Sequence, residues 1–98
     1  MRVSGRHIEV TEAMERQIRE HAAKLPRFDS QIQHLQVTLS EDAGMYVAEA
    51  IAKCHRVELV AEAKSHDMYE SIDEVFAKMA RQVARHHDRL VNNRGRPG

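Results

Sequence analysis

Lys78, Arg81, Arg85 and Arg89 recur at spacings of three and four near the end of this chain. That repeat aligns side chains along one flank of a helix. At 100° per residue they fall within an arc of about 80°, roughly 135° round from the apolar stripe of the same segment, and they span about 16 Å at 1.5 Å per residue. Cations in such a line suit successive phosphates of an RNA strand. Arg94 and Arg96 extend the basic character past the ridge. Residues 1–77 carry nine Lys+Arg against fourteen Asp+Glu, a balance of −5, and residues 78–98 carry six against one, a balance of +5. A neutral chain that gathers its positive charge at one end reads as an oriented binder of a polyanion. The plainer reading is a solubilising helix end, since cations also favour helix C-termini.

Other chemistry is poorly served. His86 and His87 are adjacent, so on a helix they diverge by about 100° and do not share a metal as an i, i+4 pair can. The seven histidines show no metal-ligand spacing. Cys54 is the single cysteine, which leaves no partner for an internal disulfide and points to a reducing cytoplasm. Asp67 and Asp73 are explained as a helix cap and a surface acid. No nucleophile elbow, phosphate loop or dinucleotide fingerprint is present. The expectation is a binding protein and not an enzyme, with no cofactor and no metal.

The elements that must hold the ridge follow from periodicity. The 98 residues fit one domain with a modest core. No apolar run approaches a membrane span, and MRVSGRHIEV lacks the apolar core of an export signal. MRVSG reads as a short strand. Thr11 is a good N-cap, with Glu12 and Glu15 in the first turn and Met14, Ile18, Ala22 and Leu25 as the buried stripe. Pro26 ends that helix near Lys24 or Leu25. Leu35, Val37 and Leu39 alternate with polar residues, then EDAG (41–44) reads as a turn. Tyr46, Ala48, Ala50, Ala52 and Cys54 share the inner face of the next strand, and Val57, Leu59, Ala61 and Ala63 that of the last. The outer face carries Glu49, Glu58 and Glu62, which repel nucleic acid and leave the helix side for binding. Asp67 and Glu70 open the last helix in a capping-box pattern. Met68, Ile72, Val75, Phe76, Met79, Val83 and Leu90 form its core stripe.

SHDMYESIDEVFAKMARQVARHHDRL, residues 65–90, resembles the signature helix of the bacterial ribosome hibernation-promoting factor family, which includes the ribosome-associated inhibitor protein Y and once bore the name of sigma-factor modulation proteins. The shared pieces are Asp67-Met68-Tyr69, Ile72-Asp73, Lys78, Arg81-Gln82, and His86, Asp88, Arg89 and Leu90. SGRHIEVTEAM and AKLPRFD are similar to the family's opening strand and first helix, so the likeness spans residues 1–91.

The resemblance implies an α+β fold of order β-α-β-β-β-α. It is a two-layer sandwich in which a four-stranded mixed sheet has both helices on one face, similar to a double-stranded-RNA-binding domain. It implies one ribosome-binding domain over 1–91 and a short flexible basic tail over 92–98. It implies binding to rRNA of the small ribosomal subunit in the mRNA and tRNA channel, inhibition of translation in stationary phase, and promotion of inactive ribosome dimers with a second small ribosome-modulation factor. The chain itself is expected to be cytoplasmic and monomeric when free. Carried over by position, the RNA contacts are Lys24, Arg27, Lys78, Arg81, Arg85 and Arg89, with Arg94 and Arg96 in the tail. Family members often carry a basic residue in the hairpin where this chain has Glu41-Asp42-Ala43. The long form adds a C-terminal dimerisation domain, so the short form is implied. Two alternatives stand beside this reading: an RNA-binding module that acts away from the ribosome, and a transcription-linked interaction module that would tolerate loss of the ridge.

Overall fold

The computed structural model describes residues 1–25, 32–54 and 56–95, with side chains through Asp88. The order is β1 (Arg2–Gly5), α1 (Glu12–Lys24), β2 (Ile32–Asp42), β3 (Met45–Cys54), β4 (Val57–Ser65) and α2 (Met68–Gly95). The strands lie in sequence order in one sheet. β1 is parallel to β2, and β2, β3 and β4 form an antiparallel meander. The α+β mixed sheet expected from the chain is therefore what forms. A parallel β1–β2 pair needs a crossover, and α1 supplies it.

Period-two alternation fixes which sheet face is buried. Val37, Leu39, Ala48, Ala50 and Ala52 are fully buried, and Ala61 and Ala63 nearly so. The helices lie over them: Ile18 of α1 and Ile72, Val75, Met79 and Val83 of α2 are inaccessible to solvent. The alanines let α2 sit close to β3 and β4, so its position depends on which strands carry small residues. Cys54 joins this face, and burial pushes its thiol above the usual range, which makes it a small apolar filler. Val57 departs from its expected inward place. It stands at the hairpin end of the edge strand, flanked by β3 on one side only, and is 37% exposed.

Both helices begin on side-chain caps. Thr11 Oγ1 accepts from the Met14 amide at 3.2 Å, and α1 ends at Lys24, as the following Pro26 requires. At α2, Asp67 Oδ1 accepts from the Tyr69 amide at 3.0 Å. The Asp67 amide donates to Ser65 Oγ at 3.3 Å, so Ser65 takes the part that the sequence pattern gave to Glu70. Fully buried Ser71 donates to the Tyr46 carbonyl at 2.7 Å and pairs with Ser65 Oγ at 2.7 Å, which ties the start of α2 to β3 and β4.

Two boundaries differ from the sequence reading. Glu41 and Asp42 belong to β2, and the turn is Ala43-Gly44 alone, with φ of 51° and 80°. Two successive positive φ values match a two-residue hairpin, which needs no more chain. Helix α2 runs through Gly95, so residues 92–95 continue the helix beyond the boundary expected at residue 91. Asn92, Asn93 and Arg94 do not break a helix, and the first breakers are Gly95 and Pro97.

Candidate nucleic-acid interface

Among the described residues, the cations expected to bind sit on two helices and lie on two sides of α2. On α2, Arg81 and Arg85 are exposed, and no ion pair or hydrogen bond engages them among the described residues. Their guanidinium groups keep all their donors for a ligand. Lys78 differs from them. It is half-buried, donates to the Glu62 carbonyl at 2.8 Å and stands 3.9 Å from Glu74. Gln82, one turn on, donates to the Val60 carbonyl at 2.6 Å. These two side chains lie along the open edge of β4, so the N-terminal end of the ridge is anchored to the sheet. Arg89 and Arg94 lie on α2 with their side chains outside the described residues, as are Arg27 and Arg96 altogether.

Lys24 is exposed at the end of α1, on the other side of α2. The pairing of the helices shows why. Gln17 donates to the Tyr69 carbonyl at 3.0 Å and to Asp73 Oδ1 at 2.8 Å. His21 Nε2 lies 2.6 Å from the same Asp73 oxygen, and the His21 ring stacks on Phe76 with centroids 5.2 Å apart and planes 11° from parallel. The Tyr69–Asp73–Phe76 flank of α2 therefore faces α1, and the Lys78–Gln82 flank faces β4. Lys24 and the ridge straddle α2 and do not form one line.

Arg16, Gln17 and Tyr69, outside the expected set of contacts, line the groove between the helices. Arg16 is exposed on α1 and shares with Lys24 the groove between the helices. The signal was the spacing Arg16–Glu20–Lys24, one polar flank of α1 at i, i+4 and i+8. Arg19 is engaged by Glu15 at 2.8 Å.

The opposite face of the sheet bears the acids. Glu49 and Glu62 are direct cross-strand partners, and Glu58 pairs with Lys53 at 3.9 Å. Asp42 meets Lys64 at 3.5 Å. Like charges side by side on β3 and β4 make that face unfavourable for phosphate. No group of three or more histidine, cysteine or carboxylate side chains that could hold a metal occurs among the described residues, and no helix among them is long and apolar enough to cross a membrane.

The chain is similar in sequence and fold to several known proteins. The sequence model of the family described as "Sigma 54 modulation protein / S30EA ribosomal protein" matches residues 1–91. A ribosome hibernation promoting factor of Salmonella typhimurium is 31% identical over 90 residues, covering 92% of this chain and 95% of that protein. One of Escherichia coli is 30% identical with the same coverage. Among solved structures, the Thermus thermophilus Protein Y N-terminal domain superposes with a TM-score of 0.75 at 25% identity, covering 87% of this chain and 94% of that one. A ribosomal subunit interface protein from Coxiella burnetii shares the fold at a TM-score of 0.83 and 17% identity, over 90% of this chain and 99% of that one.

Proposed function

We propose that this chain, which belongs to the Sigma 54 modulation protein / S30EA ribosomal protein family, is a ribosome hibernation factor that docks its helix side on the RNA of the small ribosomal subunit. It is a binding protein and not an enzyme. The relatives named for ribosome hibernation, alike over nearly their whole length, support the ribosome as the partner. The observation that carries the docking side is the pair Arg81 and Arg85, exposed and unengaged among the described residues on the helix layer, while Glu49 and Glu62 face out from the sheet.

In this reading Lys24, Arg27, Lys78, Arg81, Arg85 and Arg89 neutralise rRNA phosphates, with Arg94 and Arg96 continuing the contact. Phosphate pairing sets position without reading bases. The site is the channel of mRNA and tRNA, where a bound domain excludes both and so inhibits translation in stationary phase or stress. The free protein is a cytoplasmic monomer whose residues 1–91 act as one ribosome-binding domain. Inactive ribosome dimers form with the help of a second small factor.

Co-sedimentation with purified small subunits through a sucrose gradient tests the docking side. Arg81→Glu with Arg85→Glu is expected to abolish binding while the thermal midpoint stays within a few degrees, because surface changes of this kind stay within about 0.5 kcal/mol. A double variant that still travels with the subunit would remove the ridge from the binding account.

A further inference from the structure

The groove between α1 and α2 has a chemistry that phosphate pairing leaves unused. It holds about 520 Å³ and is lined by Arg16, Gln17, Glu20 and Lys24 of α1 and by Tyr69 and Asp73 of α2. Arg16 and Lys24 stand two turns apart on α1, about 12 Å at 1.5 Å per residue. The acids Glu20 and Asp73 lie on the same groove. Asp73 spends Oδ1 on Gln17 and His21, and its side chain is still 62% exposed. Tyr69 is 38% exposed although it sits beside the packed helix start.

Carboxylates along the groove repel a phosphate and accept hydrogen bonds from the N–H edge of a base. The two cations suit the phosphates on either side of that base. An exposed tyrosine ring offers a stacking surface, the usual means by which proteins hold unpaired RNA bases. The Gln17–Asp73–His21 contacts fix the groove's walls before any ligand arrives, so little order has to be created on binding.

We propose that this groove receives one unpaired RNA base, stacked on Tyr69 with its N–H edge toward Asp73 and its flanking phosphates at Arg16 and Lys24. The proposal rests on the ribosomal-RNA reading above and adds a nucleotide-binding pocket to it.

Binding to purified small subunits at several salt concentrations separates the two ideas. Stacking is salt-insensitive, whereas each lost phosphate contact flattens the salt dependence. Tyr69→Ala is expected to bind about tenfold more weakly, within the range for one stacked base, with its log–log salt slope unchanged. Tyr69→Phe keeps the ring and is expected to bind as the parent does. Chemical probing with dimethyl sulfate should show a base protected by the parent protein and unprotected by saturating Tyr69→Ala.

Tyr69→Ala binding as tightly as the parent, or a loss that comes only with a flatter slope, overturns the base pocket. In either case the ridge reading stands as long as Arg81→Glu with Arg85→Glu abolishes binding. A parent protein that does not bind small subunits at all overturns both.

Discussion

The Lys78 ammonium donates to the carbonyl oxygen of Glu62 at 2.8 Å, across the open edge of the sheet. β4 pairs with β3 alone, so its outward carbonyls have no strand partner. Lys78 and Gln82 occupy two of them, at Glu62 and Val60. A bare nine-residue edge with Val57 and Val60 exposed would be a template for pairing with other chains. The first cation of the ridge therefore also closes the sheet.

Stability should divide the ridge residues accordingly. Lys78→Ala is expected to cost about 0.5–1.5 kcal/mol, the worth of one hydrogen bond. Arg81→Ala is expected to stay within about 0.5 kcal/mol of the parent, as a surface change with no partner to lose. Urea denaturation of both variants checks this. Equal midpoints would show that the edge contact contributes nothing.

This double duty marks the limit of what the chain discloses by itself. The inner faces of β2, β3 and β4 were legible because strand side chains alternate and only one face could hold the alanines. The stripe from Met68 to Val83 was legible because α2 is long and strongly periodic. The hydrogen bond from Lys78 to the Glu62 backbone joins residues with no pattern in common, since any residue can offer a carbonyl. Val57 carries the same alternation as Ala61 and is exposed because of where β4 ends in space. The split of the cations by α2 depended on which helix flank meets α1, and that is set by Gln17 and His21 meeting Asp73. The resemblance named Asp73 and Lys78 together without showing that they face opposite ways.

The start of α2 should depend on Asp67 for stability and not for binding. Asp67 Oδ1 caps the Tyr69 amide, and Ser65 holds the Asp67 amide. Asp67→Ala is expected to cost about 0.5–2 kcal/mol, the range for removing an N-cap. Affinity for small subunits, measured well below the melting temperature, should be unchanged. A folded Asp67→Ala protein with weakened binding would move Asp67 into the interface.

The β2–β3 hairpin carries strain that one substitution should relieve. Ala43 sits at φ 51° in the left-handed region, where a Cβ costs roughly 1–2 kcal/mol and asparagine is better tolerated. Ala43 is exposed, so nothing else is lost. Ala43→Asn produces Asn-Gly, the preferred pair for such a turn, and is expected to raise stability by about 0.5–1 kcal/mol. A thermal melt showing no increase would mean that the turn relaxes in solution.

Salt dependence tests the phosphate mechanism as a whole, and Lys78 gives it an internal control. The six cations from Lys24 to Arg89 predict a log–log slope of about −4 to −5 for binding to small subunits, at roughly −0.7 to −0.9 per phosphate, and engagement of Arg94 and Arg96 steepens it by up to about two units. Arg81→Ala, Arg85→Ala and Lys78→Ala should each flatten it by about one unit. Affinity should separate them. To reach a phosphate, Lys78 gives up its own charge-assisted bond to the Glu62 carbonyl and its place beside Glu74. Its net gain is smaller than that of Arg81, which gives up no protein contact among the described residues. At a fixed moderate salt concentration, Lys78→Ala should therefore weaken binding less than Arg81→Ala while changing the slope equally. Filter binding or fluorescence anisotropy of the labelled protein measures both quantities. A slope near zero for the intact chain would replace phosphate neutralisation with docking on ribosomal protein. Equal affinity losses for the two variants would show that the edge contact costs nothing to break.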